Sequence, residues 1–521
     1  STCGLPFDLV FITDDGGSYR RPLTTAVCDL LRKYGRESFE GARGGVHVAD
    51  SASDATCLLA SANLVIQLDS PRPAEARNTE TKYIMSTIFR RSDVKIPEYR
   101  WNEDNSFSFY VNHSLPPRAW GNVLTNGVFG FFATDCGTGN MWYRNARECR
   151  INRWVNDPRA LAGTETLELI AGNRRFSLFA GGEGHCVVTY DFGAAVWEKR
   201  IGDYSVRTTA FVPADVNARV LIIELEGAKG AHVGWCTELL LSGDEADAQQ
   251  VVTAWHDGVL VARNPRSPYP DRPFAAAASA PPSGFTCDRF SWLRGDLDGR
   301  CGAGYDPCFG ALYPIENTLV LVCGCDDVSK IRGLADLSAA REALERIKML
   351  WSRAVLRLKV NTPDRELNRM INGWLPYQTL ACRMMGRTSI YQSGGAFGFR
   401  DQLQDAASLM LVDPAILRRH ILECCAHQFE EGDVQHWWHP GRVSKGVRTR
   451  CSDDLVWLPW ALCEYVEKTG DNSVCFEEVH YFRSKPLEED QHDRYETPER
   501  SPIAESVADH CRRAMDMVLK R

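Results

Sequence analysis

Three stretches in the last quarter of the chain combine side-chain types that suit chemistry better than packing. The run Gln392-Ser-Gly-Gly-Ala-Phe-Gly-Phe-Arg-Asp-Gln-Leu-Gln-Asp405 leads three glycines into a helix start and crowds Arg400, Asp401, Gln404 and Asp405 together. Glycine lets backbone approach a ligand closely, and an arginine between carboxylates can grip hydroxyl groups through paired hydrogen bonds. A capped helix with a surface ion pair reads equally well from the same spacing. Glu431-Gly-Asp-Val-Gln-His-Trp-Trp-His-Pro440 sets polar Gln435 and His436 beside Trp437 and Trp438. Planar polar groups next to an aromatic platform suit a sugar ring, whereas paired core tryptophans are the plainer reading. His436 and His439 lack a third metal ligand at a convincing spacing, so no metal is expected. Gly446-Val-Arg-Thr-Arg-Cys-Ser-Asp-Asp-Leu-Val-Trp-Leu458 places two adjacent carboxylates at a helix start. One of them is either an N-cap or a proton donor whose pKa is raised by burial and by its like-charged neighbour.

These residues need a scaffold, and composition bounds it. The chain has 521 residues, 44% hydrophobic and 25% charged, which predicts two or three globular domains and no long disorder. A net charge of −8 argues against a nucleic-acid surface. No apolar run is long enough to span a membrane. Nineteen scattered cysteines, an odd number in a large chain, read as mostly buried reduced thiols of a cytoplasmic protein. The opening Ser-Thr-Cys-Gly carries no export signal.

The first hundred residues read as a mixed α/β segment, with a strand over Phe7–Ile12, helical spacing from Pro22 to Tyr34 and an ambiguous run over Leu58–Leu68. Residues 101–330 carry short alternating runs, Ser106–Val111, Arg219–Leu225 and His232–Leu240, and the short apolar run Thr318–Cys323, separated by turn clusters such as His256-Asp-Gly258. They predict an antiparallel β-sandwich. Residues 331–360 form a helical linker, centred on Leu337–Leu356. From 361 onward helical patterns dominate, opening at Asn361-Thr-Pro-Asp-Arg-Glu366 with Thr362 as cap, then near 402–411, 414–429, 454–469 and 504–521. The fold class expected is multidomain β plus α.

Together the three stretches resemble glycoside hydrolase family 94, the inverting glycoside phosphorylases, and within it the branch acting on β-1,2-glucans. The matching text also includes Leu115-Pro-Pro-Arg-Ala-Trp-Gly-Asn122 and Trp142-Tyr-Arg-Asn-Ala-Arg-Glu-Cys-Arg-Ile-Asn-Arg-Trp-Val-Asn-Asp157. The resemblance implies an (α/α)₆ barrel after the sandwich and linker, inorganic phosphate as co-substrate, no cofactor, and release of a sugar 1-phosphate with inverted configuration. It implies Asp453 as general acid beside Asp454, and Arg400 with Asp401 on the glucosyl hydroxyls. The candidate sugar-contacting set is Arg400, Asp401, Gln404, Asp405, Gln435, His436, Trp437, Arg450 and Asp454. Cellobiose-type members carry arginine six residues before the Asp401 position, where this chain has Gly395.

A twelve-helix barrel needs roughly 350 residues, and about 160 follow Thr362. The chain is therefore expected to be part of a barrel, holding the proton donor and much of the sugar grip but not the phosphate site. The uncovered helix faces suggest homo-oligomers. An inverting hydrolase and a non-catalytic glucan-binding remnant are the competing readings.

Overall fold

The computed structural model describes strands Leu9–Ile12 and Val46–Ala49 and, between 97 and 520, all residues except 113–114, 155–163, 228–229, 390–391 and 441–444. The chain divides into two compact units, Ser1–Lys82 and Tyr83–Arg521. In the first, Leu9–Ile12 and Val46–Ala49 pair in parallel with Leu9 opposite Val46. The helix expected over 22–34 and the run 58–68 lie outside the described residues.

The second unit begins as a sandwich of antiparallel sheets. A ten-stranded sheet runs from Val252–His256 at one edge to Tyr99–Trp101 at the other, with Thr318–Gly324, Ala218–Glu226 and Tyr204–Phe211 at its centre. A five-stranded sheet centres on Ala231–Glu238, and a three-stranded one comprises Gly121–Thr125, Phe129–Thr134 and Gly137–Tyr143. Asp257 and Gly258 form a two-residue hairpin with φ of 51° and 83°, the left-handed pair that a tight turn between twisted strands requires. Ala218–Glu226 does not alternate as expected: it is buried almost continuously. Its neighbours explain this, because helix α1, Leu337–Val355, lies against this strand and Thr318–Gly324.

Burial brings one charge into the sandwich. Arg219 of the ten-stranded sheet forms a two-pronged ion pair with Glu165 of the five-stranded sheet, both side chains essentially inaccessible. The Glu165 carboxylate also accepts the Trp235 indole N–H at 2.6 Å, and the Arg219 guanidinium lies 5.6 Å from the Phe131 ring centre. Buried charge is tolerated here because both partners are hydrogen-bonded, and the pair fixes one sheet against the other.

Residues 365–386 form a helical rod with two π-helical stretches, Met370–Trp374 and Thr379–Gly386, on either side of Pro376, which lacks the N–H an unbroken α-ladder needs. Asp364, not Thr362, caps it, accepting from the N–H groups of Glu366 and Leu367. Thr362 instead bonds the Asn368 side chain. Aromatic rings fasten the rod to the sandwich: Tyr377 packs between Trp351 and Phe192 and donates its hydroxyl to the Val123 carbonyl at 3.0 Å. Trp374 donates to the Asn105 carbonyl at 2.8 Å.

Four further helices follow: α2, Phe399–Ser408; α3, Pro414–Cys425; α4, Asp454–Thr469; and α5, Val507–Lys520. They share a core of Phe399, Leu403, Leu417, Ile421, Trp438, Leu455 and Leu458. The expected helices shift where strands intervene. Glu499–Ser506 pairs with Glu478–Arg483 ahead of α5, and α3 stops at Cys425, just before Gln428 bridges to Val434. Among the described residues, no helix is long and apolar enough to cross a membrane, and the described cysteines are all free thiols.

Replacing Glu165 by alanine strands Arg219 in the sandwich and is expected to cost about 3–5 kcal/mol in chemical denaturation. The paired change Arg219→Met with Glu165→Leu is expected to recover most of that loss.

Candidate active site

A four-stranded sheet absent from the sequence expectation carries the site: Phe397–Gly398, Gln435–Trp438, Gly446–Thr449 and Asp493–Glu496. Its two middle strands cross so closely at Gly446 that a Cβ there would lie 2.5 Å from the Trp437 carbonyl oxygen. Buried Arg448 holds the hairpin shut. Its guanidinium donates to both Asp433 carboxylate oxygens, at 2.7 and 2.6 Å, and to Glu431 at 3.0 Å. It also stacks 3.9 Å from the centre of the Phe429 ring.

This hairpin and the loop before α2 bring two helix starts together. Arg400, in the first turn of α2, donates to Asp453 Oδ2 at 2.5 Å and sits 3.6 Å from Asp401. Asp453 occupies the N-cap position of α4 yet makes no capping bond. Its other oxygen accepts the Cys451 thiol at 3.0 Å. Asp453 and Arg400 are 42% and 39% exposed, so a ligand can reach both.

The expectation of one carboxylate both buried and raised in pKa is corrected by this arrangement. The Cys451 thiol and then Arg400 hold the Asp453 carboxyl below the usual range. It is Asp454 that is buried, 1% exposed, with Oδ2 at 2.7 Å from His436 Nδ1 and Oδ1 without a hydrogen-bond partner among the described residues. That bond raises the half-buried His436 imidazole above its ordinary pKa.

The glycine loop is pinned by the 142–157 stretch of the sandwich. The Asn145 side-chain amide donates to the carbonyls of Gly395 and Pro440, at 2.8 and 3.1 Å. Ser393 donates to Ala146 O at 2.5 Å, and His439 Nε2 lies 3.1 Å from Gly394 O. Gly395 has φ of +61°, and a Cβ would meet Asn145 Oδ1 at 2.2 Å, so no side chain fits where cellobiose-type relatives carry arginine.

The remaining candidates separate. Asp405 turns to Arg383 at 2.9 Å and to Gln402, and burial raises its carboxyl. Gln404 is exposed on α2, and Gln435 is fully buried opposite Arg448. Trp437 is half-buried against Tyr495, while Trp438 is core, stacked 3.9 Å from His427. Arg450 bonds the carbonyls of Gln491 and Glu488. Sequence reasoning passed over Cys451, Gln402, Asn145 and Arg448. Pairing Gln435–Trp438 with Gly446–Thr449 as a hairpin was the signal that would have placed Cys451 beside His436. A cavity of about 650 Å³ lies elsewhere, between α1 and α3, and none of the predicted site residues lines it.

Comparison with known proteins places these features in context. Residues 108–315 match the glycosyl hydrolase 94 supersandwich domain and residues 350–521 the catalytic domain of the glycosyl hydrolase 94 superfamily. The chain is 32% identical over 450 residues to the cyclic β-(1,2)-glucan synthase NdvB of Rhizobium meliloti (strain 1021), covering 78% of this chain and 16% of the synthase. It is 27% identical to the N,N'-diacetylchitobiose phosphorylase of Vibrio furnissii, covering 35% of this chain and 28% of that one. The chain thus spans less than a third of either relative. A bacterial glucoamylase in complex with acarbose superposes with a TM-score of 0.48 at 10% identity, over 73% of this chain and 58% of the other.

Three buried imidazoles stay neutral because burial disfavours their charged form: His420 is held down to about 3, His427 and His439 to about 4. Unfolded, each takes its proton near pH 6.5. The unfolded state therefore binds more protons below that value, and the stability each contributes is complete above pH 6.5 and lost as pH falls. Thermal melts are expected to show the helical domain weakening from pH 7 to 5, the loss approaching about 1.4 kcal/mol per pH unit for each histidine only well below pH 6.5. His420→Leu should flatten that slope, and an unchanged slope would contradict the assignment.

Proposed function

Because the chain belongs to the glycosyl hydrolase 94 family in both its sandwich and its catalytic domain, we propose that it serves the inverting phosphorolysis of β-glucosidic bonds. The substrate is a β-1,2-glucan or its oligosaccharides, and the products are α-glucose 1-phosphate and the shortened glucan. The observation that carries this reading is Asp453: a carboxyl at a helix head that forgoes capping, is open to a ligand and touches Arg400.

The chemistry follows from those contacts. Asp453 passes its proton to the glycosidic oxygen as the C1–O bond breaks, and a phosphate oxygen attacks C1 from the opposite face. Phosphate arrives anionic, so the second carboxylate that an inverting hydrolase needs to activate water is dispensable. Without ligand, Arg400 and Cys451 favour the ionised form of Asp453. Sugar hydroxyls that engage Arg400 and Asp401 remove that stabilisation, and exclusion of water raises the carboxyl toward the range of a donor. Asp454, tied to His436, holds the first turn of α4 in place.

The likeness to the glucan synthase supports the β-1,2 linkage, as does Gly395, whose backbone conformation rejects the arginine of the cellobiose branch. The buried free thiols suit the reducing cytoplasm.

Joined to the rest of a family 94 catalytic barrel, where the phosphate site is expected, the protein should release glucose 1-phosphate from β-1,2-gluco-oligosaccharides only when inorganic phosphate is present. Asp453→Asn should lower that rate by about 10²–10⁴-fold. Free glucose released without phosphate would identify a hydrolase instead, and sugar binding without turnover a non-catalytic binder.

A further inference from the structure

Beside the proposed proton donor, the described residues bring three metal-ligating side-chain types together. His436 on the Gln435–Trp438 strand, Cys451 after the Gly446–Thr449 strand and Asp454 in the first turn of α4 each turn one ligand-type atom inward, all within 4.8 Å of one another. A tetrahedral zinc ion spaces such donors roughly 3.3–3.8 Å apart, given bonds near 2.0–2.3 Å. The cluster therefore needs only small side-chain adjustments: the thiol draws in, and the 2.7 Å contact between His436 and Asp454 opens as the ion replaces the shared proton.

A second observation points to a ligand. Asp454 is 1% exposed, and its Oδ1 has no hydrogen-bond partner among the described residues. A buried carboxylate with one oxygen unsatisfied is costly unless something cationic completes it. Arg400, the nearby cation, is engaged by Asp453.

We propose that His436, Cys451 and Asp454 bind a zinc-class divalent cation, and that the ion reversibly shuts off the neighbouring proton donor. Imidazole, thiolate and carboxylate together favour zinc over the hard oxygen-seeking cations magnesium and calcium. Three protein ligands leave a fourth position open, and Asp453 Oδ1 stands beside it, 3.0 Å from the Cys451 sulfur. On binding, the Cys451 thiol loses its proton to solvent and no longer donates to Asp453. The ion's open position then takes Asp453 Oδ1 as its fourth ligand, so this carboxylate no longer reaches the glycosidic oxygen. The inhibitory half of the proposal rests on the phosphorolysis reading; the binding half does not.

Cobalt(II) replaces zinc in such sites and reports thiolate ligation by absorption. The purified, reduced and metal-stripped protein, titrated with cobalt chloride, is expected to gain a thiolate-to-cobalt band in the near ultraviolet and intense visible bands of a four-coordinate ion, removed by added zinc. Cys451→Ser should abolish the charge-transfer band, and His436→Gln should weaken zinc binding by about 10–100-fold or more. Exposed Cys301 and Cys463 make these variants necessary controls, and a spectrum that survives in both overturns the site. Zinc is also expected to slow glucose 1-phosphate release relative to each protein's own metal-free rate, with EDTA restoring it and Cys451→Ser resisting it. Ligation through Cys451 without any slowing would overturn the inhibitory role. Absence of glucose 1-phosphate from the metal-free protein joined to the rest of its barrel would overturn the phosphorolysis reading while the cobalt spectrum still decided the site.

Discussion

The ion pair between Arg400 and Asp453 joins the heads of two helices whose residues stand 53 positions apart in the chain. Two helix N-termini brought face to face set partial positive charges against each other. Asp401 in the first turn of α2 and Asp453 and Asp454 at the start of α4 offset that repulsion. A cluster of carboxylates and one arginine is thus a condition for the two helices to meet, and it is the same cluster to which the proposed function assigns proton transfer and hydroxyl recognition.

Keeping those heads aligned requires rigidity behind them. Arg448 clasps Asp433 and Glu431 within the hairpin, and Trp438 stacks on His427 beneath it. Across the domain junction, Asn145 holds both the glycine loop and Pro440, in the connection between the hairpin's two strands, through a single amide. The sandwich is therefore a clamp on the catalytic half rather than an appended module. Its own sheets are locked by Arg219 and Glu165, and the aromatic contacts of Trp374 and Tyr377 transmit that stiffness to the helical rod. Small displacements of catalytic groups are expensive in rate, which gives such a clamp a physical purpose.

Local sequence signals were informative where a residue's role depends on its immediate neighbours. Short apolar runs marked the sandwich strands, the Asp257-Gly258 turn marked its hairpin, and the run from Leu337 marked α1. The pairing of Arg400 with Asp453, and the split between an open Asp453 and a buried Asp454, were not legible, because only folding brings 400 and 453 together. The strand Gln435–Trp438 reads Gln-His-Trp-Trp, with no apolar–polar alternation to mark it. For the same reason the paired tryptophans looked equivalent, although the pleat sends Trp438 into the core and leaves Trp437 half-exposed.

The central claim is that Asp453 supplies the leaving-group proton, and leaving-group dependence tests it most directly. A dinitrophenyl β-glucoside departs without protonation, whereas a sugar hydroxyl does not. In Asp453→Asn, phosphate-dependent turnover of the dinitrophenyl substrate should stay within about tenfold of the unsubstituted protein while oligosaccharide turnover falls about 10²-fold or more. Equal losses on both substrates would contradict the assignment and make Asp453 a residue that shapes the site rather than one that moves the proton.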